Sequence, residues 1–372
     1  MKILVTGFTA NYGGVEIFLM NYYRAIKRLD ERIVIDIIST SNEPAFKNEV
    51  IEMGGKVHVV PSSRHKKQLK KALNKLMSEN TYDVFWCNKC DLSDITYLEQ
   101  AYKNKIPVRI LHSHNSNNLF SGVRGKIVDV LHKANKTKAA KYATKHWACS
   151  DFAAQWLFPE KIAQGNYEFI PNAVSAEKFK FDASIREKYR KELDIENKLV
   201  LGTVGRLSYQ KNPEFILEIF NEIHKKNKNA VLLWVGTGEL EMNIKYKIAE
   251  YNLKDSVKLL GVRHDVSELM QAMDCFLLPS RFEGLPVVAI EAQAAGLAVF
   301  AAGDGTTKQT KITEEFKFIS LNQAPVKWAE EILKADLKHK DNYDVLLQKN
   351  FEINAAAENL LKKLGELRCK SY

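Results

Sequence analysis

Two glutamates stand eight residues apart in RFEGLPVVAIEAQAAG, residues 281–296, an otherwise apolar stretch. A carboxylate in such surroundings costs free energy unless it faces water, a partner or a ligand. Pro286 suits the first position of a helix, because its missing N–H would have no partner there. The spacing predicts a helix from Pro286, with Glu283 in the loop before it and Glu291 in its second turn. Either both acids line a cavity, or Glu291 is on an exposed face.

Other groups able to do chemistry fall at the ends of apolar runs. In GTVGRLSYQKNP, Arg206 and Lys211 flank a loop before a helix that has Pro213 near its start. Two fixed cations there suit a diphosphate, whose charge they neutralise as a phosphate departs. In LLGVRHD, main chain beside Arg263 and Asp265 could hydrogen-bond the edge of a base. In GFTANYGGVEIF, Gly13 and Gly14 precede a helix. Adjacent glycines permit positive φ and let an anion or sugar hydroxyl approach main-chain N–H groups at a helix start. This is not GxGxxG, and no acid closes the second strand, so a nicotinamide site has little support. HSHNSN puts His112 and His114 at a strand end. A separation of two is expected to send their rings to opposite faces, with one facing a cleft. No metal site is expected: CNKC at 87–90 has no second cysteine pair or HxxxH partner.

The elements that must position these groups alternate. Apolar runs ILVTG, RIVIDIIS, KVHVVP, DVFWCN, VRILHSH, HWACS and YEFIP are separated by helix-patterned segments and end near residue 171. Residues 172–197 read as a polar connector with one helix. The pattern restarts with LVLGTVG, AVLLWVG, VKLLG, DCFLLPS and LAVFAA, and only helical patterns follow residue 320, near 325–337 and 341–367. Continuous apolar strands between helices indicate parallel sheets covered on both faces. The expected fold class is α/β, with two doubly wound, Rossmann-like domains whose ligands bind at the carboxyl ends of the strands.

Composition agrees. A chain of 372 residues exceeds what one core usually organises. No apolar run reaches the 18 residues of a spanning helix, and no leader pattern opens the chain. Five cysteines, Cys87, Cys90, Cys149, Cys275 and Cys369, suit a reducing cytosol. The net charge of +10 is uneven: residues 1–182 hold 27 Lys and Arg against 18 Asp and Glu, or +9. Residues 62–75 carry six Lys or Arg and no acid, and residues 121–146 carry seven with only Asp129 opposing. In the first stretch Leu69, Ala72, Leu73, Leu76 and Met77 repeat at helical spacing. That helix either packs on the core with a solvated basic face, or approaches anionic lipid or a phosphate-bearing acceptor.

Through GGVE, HSHN, PNAV at 171–174, GRLSYQKNP, GVRHDV and PSRFEGLPVVAIEAQAAG, the chain resembles the retaining nucleotide-sugar glycosyltransferases of family 4. The likeness is to the capsular and exopolysaccharide type, and it spans nearly the whole chain. It implies a GT-B architecture, with two Rossmann-like domains facing a central cleft. An acceptor-side domain would occupy residues 1–171 and a nucleotide-sugar domain 172–353, with a helix in 354–372 crossing back to the first. Glu291 would bond the nucleotide ribose and Glu283 the hydroxyls of the transferred sugar, since a carboxylate accepts from vicinal hydroxyls. Gly284 and Leu285 would join the donor site, Arg206 and Lys211 would hold the diphosphate, and main chain near Arg263 would read the base. Gly13 and Gly14 would meet donor phosphate or acceptor. A sugar-contacting histidine belongs at the fifth strand end, where His112 matches best and His114 is the substitute. His112, Arg206, Lys211 and Glu283 form the expected catalytic set.

The resemblance further implies front-face substitution with retention, in which the leaving diphosphate helps deprotonate the acceptor and no protein nucleophile takes part. No metal and no cofactor are expected. A uridine nucleotide sugar is the expected donor, and a saccharide or lipid-linked saccharide in bacterial surface polysaccharide synthesis the acceptor. The expected location is cytoplasmic, peripheral on the inner face of the membrane, with no nucleic-acid partner. Ala173 stands where many relatives have Gly, Asn212 replaces a commoner Gly, and AAGDGTTKQTKITEEF (301–316) lacks a Gly-Gly-x-x-Glu loop, so no donor contact is expected there. A sugar-nucleotide epimerase would share the architecture without an acceptor, and a nucleic-acid-binding protein would use the basic first half but leave both glutamates unexplained.

Overall fold

The computed structural model describes residues 1–120 and 122–369. Ser121 of the basic stretch, residues 370–372 and the side chains of Arg368 and Cys369 lie outside the described residues. The chain forms two compact units, Met1–Ala173 with Ile353–Tyr372, and Val174–Glu352, against expected divisions after 171 and 353.

The first unit carries β1 (Lys2–Thr6), β2 (Val34–Ser39), β3 (Val57–Val59), β4 (Val84–Lys89), β5 (Val108–Ser113), β6 (Lys145–Ala148) and β7 (Glu168–Phe169) in the order β3-β2-β1-β4-β5-β6-β7. Every pairing is parallel. Ile3, Val5, Ile35, Ile37, Val84, Trp86 and Ile110 fill one core with the amphipathic helix Gly14–Leu29. The helix Ile353–Cys369 completes that core through Ile353, Ala356, Ala357, Leu360 and Leu364. Arg28 donates to Asn354 Oδ1 at 2.9 Å, and Lys363 pairs with Glu168 at 2.5 Å, which fixes the helix along its length.

The second unit carries β8 (Leu199–Val204), β9 (Ala230–Val235), β10 (Val257–Gly261), β11 (Cys275–Leu278), β12 (Ala298–Ala302) and β13 (Phe316–Ile319), all parallel, in the order β10-β9-β8-β11-β12-β13. Strand order reverses between β8 and β11, and between β1 and β4 in the first unit. A crevice opens at the carboxyl ends of strands flanking such a reversal.

Three expectations are corrected. The strand β13 was not read from the sequence, because it lies at the sheet edge with Lys317 exposed among its apolar residues. The connector holds two helices, Ala176–Phe179 and Ala183–Glu192, the second capped by Asp182, which accepts from the N–H groups of Ser184 and Ile185. The pattern at 341–367 is two helices, Tyr343–Gln348 and Ile353–Cys369, interrupted where Asn350 takes φ 64°.

Among the described residues no helix is long and apolar enough to cross a membrane. Cys87, Cys149 and Cys275 are buried and Cys90 is half-buried.

Candidate active site

The loops after β8 and β11 meet at the reversal of the second sheet. Arg281 N–H donates to Gln210 O at 2.8 Å and Asn212 Nδ2 to Pro279 O at 3.2 Å, so the two loops are stitched together. Asn212 takes φ 54°, a left-handed conformation that asparagine tolerates, and turns the chain into the helix Pro213–Lys226. This turn aims Lys211 at the neighbouring loop. Its Nζ lies 2.6 Å from Glu283 Oε1, and Gln210 Nε2 reaches Glu283 Oε2 at 3.4 Å and Phe282 O at 3.0 Å.

A third strand end holds Glu283. Its N–H donates to Gly305 O at 2.7 Å, in the loop after β12. A Cβ on Gly305 would stand 2.3 Å from Ser280 O and 2.6 Å from Arg281 O, a close approach only glycine permits. The 301–316 segment, to which no donor contact was assigned, thus positions the Glu283 turn. Sequence reading missed Gly305 and Gln210; the Gly beside a strand end in AAGDG was the available signal.

The helix carrying Glu291 runs Val287–Ala294, with Pro286 just before it as the cap, one residue later than expected. Val287, Ala289, Ile290, Ala292, Gln293 and Ala294 are buried, which leaves Val288 and Glu291, three apart, on its one partly open face. Gln293, fully buried, locks the helix: its Oε1 accepts from the N–H of Ile312 at 2.8 Å and of Thr313 at 3.0 Å, and its Nε2 donates to Thr310 O at 2.9 Å. The Glu291 carboxyl group makes no hydrogen bond or ion pair among the described residues. Burial pushes its carboxyl up to about 7, with the charge of Lys178 opposing. Gly284 and Leu285 are buried between the two acids.

The two cations expected to be fixed differ. Lys211 is fixed by Glu283, whereas Arg206 is exposed and its guanidinium has no partner among the described residues. Beside them Arg281 lies over the exposed Tyr209 ring, 4.6 Å from its centroid. Arg263 is tied to Asp265, its Nε donating to Oδ1 at 2.8 Å, and Tyr189 donates to the same carboxylate at 2.9 Å. The guanidinium of Arg263 holds Asp265 down to about 2.

In the first unit, Gly13 caps the helix Gly14–Leu29 with φ −93°, and neither glycine uses the positive φ that its type permits. Gly13 instead makes room: a Cβ there would lie 2.8 Å from Glu16 Oε2. Glu16, buried, accepts from Thr9 N–H at 3.1 Å and Thr9 Oγ1 at 2.5 Å, closing the turn that leads into the helix.

His112 and His114 lie on the same side, ring centroids 4.1 Å apart. This corrects the expected opposite faces, since residues two apart along a strand share a face. His112 is fully buried against Phe18, Trp86 and Trp147. Trp86 Nε1–H donates to its Nδ1 at 3.2 Å, so the imidazole proton sits on Nε2, which has no partner. His114 is the partly exposed ring. Asn88 spends its Nδ2 on Thr6 O at 2.8 Å and offers Oδ1 to His114 Nε2 at 2.7 Å, which leaves His114 Nδ1 as a free acceptor. Burial lowers His112 well below the usual histidine range and His114 to about 3, so both rings are neutral.

Among the described residues no group of three His, Cys, Asp or Glu could hold a metal ion.

Residues 185–353 match the family model described as Glycosyl transferases group 1. The chain is 35% identical over 188 residues to the UDP-Gal:alpha-D-GlcNAc-diphosphoundecaprenol alpha-1,3-galactosyltransferase of Escherichia coli, a match covering 48% of this chain and 47% of that one. It is 24% identical over 366 residues to CapH of Staphylococcus aureus, named a capsular polysaccharide biosynthesis glycosyltransferase, with 97% of each chain covered. Among solved structures, Anabaena HepE in complex with UDP-glucose has a TM-score of 0.72 at 18% identity, covering 100% of this chain and 98% of that one. The two Rossmann-like units are those of the GT-B glycosyltransferases. Residues 185–353, the stretch that brings Lys211 onto Glu283 and leaves the Glu291 carboxyl unpartnered, are the part of this chain that matches the group 1 glycosyl transferases.

Proposed function

We propose that this glycosyltransferase moves a hexose from a uridine diphosphate sugar to a saccharide or lipid-linked saccharide, with retention of configuration, in the synthesis of bacterial surface polysaccharide. The observation that carries the reading is Glu291: a carboxylate without a protein partner, on a helix starting at the strand reversal where Lys211 and Glu283 meet. Such a group is favoured by burial to be neutral, and a ribose diol gives it the two donors it lacks. The complex of HepE with UDP-glucose, and the UDP-Gal and diphosphoundecaprenol in the name of the E. coli relative, support the donor and acceptor classes. The name of CapH supports the polysaccharide.

Roles follow from chemistry. Lys211 spends one N–H on Glu283 and has two left for a diphosphate; Arg206, unpaired, adds the second cation. Glu283 accepts from hydroxyls of the transferred sugar. Main chain near Arg263 reads the base, while the Arg263 guanidinium remains with Asp265. A leaving phosphate oxygen takes the acceptor proton on the face from which it departs, so retention needs no protein nucleophile. The diphosphate charge is met by cationic side chains, and no step is routed through a metal ion. In the first unit, the Gly13–Gly14 turn is assigned to the acceptor. The sugar contact passes from His112, which is enclosed, to His114, whose free Nδ1 accepts from a hydroxyl.

Calorimetric titration with UDP, GDP and ADP, without added metal, tests this. Micromolar binding of UDP that Glu291→Ala abolishes is expected; equal binding by parent and variant would remove the assignment.

A further inference from the structure

The helix Thr96–Lys103 ends in a turn that glycine makes at least cost. Lys105 N–H donates to Tyr102 O at 3.1 Å and Ile106 N–H to Ala101 O at 3.1 Å, with Lys105 at φ 55°. Other helices of the chain close left-handed on Gly54, Gly165, Asp194, Asn252, Gly296 and Asn350, all of types that accept positive φ. Of these turns, among the described residues, only that of Lys105 puts a long side chain in the strained position.

That cation borders an open hollow of about 350 Å³, whose other lining residues are Tyr102, Lys103 and Arg109. Arg109 is half-buried there, and every acceptor it has is a neutral carbonyl. Its Nε donates to Tyr142 O at 2.7 Å, and its Nη1 to Ile106 O at 2.5 Å and Pro107 O at 3.4 Å. Burial works against its charge, and no carboxylate among the described residues offsets that cost. The guanidinium carbon lies 5.4 Å from the centre of the Tyr102 ring, which is 48% exposed and packs on Tyr142. Glu99, the one acid of the helix Thr96–Lys103, is already shared by Lys103 at 2.9 Å and Lys70 at 3.2 Å. Lys70 comes from the helix Lys66–Glu79, which buries Leu69, Leu73 and Met77 in the unit. Lys105 has no ion pair among the described residues. Arg109 stands near the start of β5 and His114 just past its end, about 17 Å away along the strand. The hollow is therefore at the opposite end of the sheet from the histidine pair.

We propose that this hollow is a second binding site, for a sugar that bears a carboxylate or a phosphate. The oxyanion accepts from Arg109 Nη2 and the Lys105 ammonium, and the sugar ring lies on Tyr102. Guanidinium and ammonium are donors only, so two of them without an acid call for an acceptor that carries charge. A sugar suits this lining better than a nucleic-acid base: its ring oxygen and hydroxyls all accept, whereas a base edge brings donors that find no acceptor here. Tyr102 gives the C–H face of a pyranose an apolar plane. No residue assigned to the donor or the acceptor takes part.

Saturation-transfer NMR on the full chain, with excess UDP, tests the site with glucose 6-phosphate, glucuronate, glucose and inorganic phosphate. At least one anionic sugar should bind, the better one deciding between phosphate and carboxylate, with glucose and inorganic phosphate weaker by roughly tenfold. Lys105→Gly should weaken that sugar by roughly tenfold and yet raise the thermal unfolding midpoint, since it relieves the turn. Arg109→Gln should weaken the sugar as much, and titration with UDP should match the parent in both variants. Failure of both anionic sugars to bind overturns the proposal. So does glucose or inorganic phosphate that binds equally well, or a Lys105→Gly variant that is more stable but binds the sugar as the parent does.

Discussion

Lys211 Nζ lies 2.6 Å from Glu283 Oε1, with the carboxylate side chain 6% and the ammonium side chain 17% exposed. The pair joins two strand-end loops, and each member is the other's main source of charge compensation. Losing one partner strands the other: Lys211→Met is expected to destabilise the protein by about 3 kcal/mol. Lys211→Met/Glu283→Gln should recover most of that, giving a positive coupling in chemical denaturation. Transfer should be lost in both, which separates stability from catalysis.

Glu291 gives the opposite signature. Its carboxyl is raised to about 7 in the folded chain from 4.5, so the folded state resists ionisation that the unfolded state accepts. The cost is absent below pH 4.5, grows through the interval and is complete above about 7. Glu291→Gln should therefore stabilise the ligand-free protein at pH 8, on the order of 1–3 kcal/mol, and not at pH 4. The same substitution should weaken UDP by roughly 10- to 100-fold, the loss of a charged hydrogen-bond acceptor. Parent affinity for UDP should rise as pH increases through 7, and calorimetry across that range should find the variant flat.

Gly305 is predicted to matter without touching any substrate. Gly305→Ala must push the Ser280–Arg281 backbone away, and Glu283 moves with it. UDP affinity should stay within a few-fold of the parent, because Glu291 and its helix are locked separately through Gln293. Turnover should fall by roughly 10²-fold, the usual consequence of a small misplacement at the reacting centre. Steady-state kinetics would show the loss in kcat rather than in UDP inhibition; equal losses in both would mean that the loop collapses as a whole.

Buried histidines set a pH limit on the fold. His112 and His114 are neutral when folded, the latter lowered to about 3, whereas unfolded histidine titrates near 6.5. The unfolded chain binds the extra protons, so stability is full above 6.5 and falls as pH drops toward 3. Denaturation midpoints at pH 7.5, 6 and 5 should decline in that order. His112→Gln, which keeps an acceptor for Trp86, should flatten the slope.

The sequence made strands legible where they are buried on both faces. β8, β9 and β11 read as unbroken apolar runs, and the helix of Glu291 announced itself through Pro286. β13 did not, because an edge strand with an exposed Lys317 looks like loop. At the site, types and spacing identified the acids and cations, but not their pairing: nothing in GRLSYQKNP says that Lys211 will be held by Glu283 and Arg206 left unpaired. Gly305 and Gln293 act through main-chain hydrogen bonds, which leave little trace in a pattern of side chains. The histidine pair shows the converse, a local geometry that strand periodicity alone decides.

The first core is closed by Ile353, Ala356, Ala357, Leu360 and Leu364, residues translated after the whole of Val174–Glu352. During synthesis, the helix Gly14–Leu29 must therefore wait with part of its apolar face uncovered while the second unit emerges and folds. The order of completion is then the reverse of the order of translation: the half that begins first finishes last. A released chain truncated after Glu352 should bind UDP yet remain open to protease within residues 1–173.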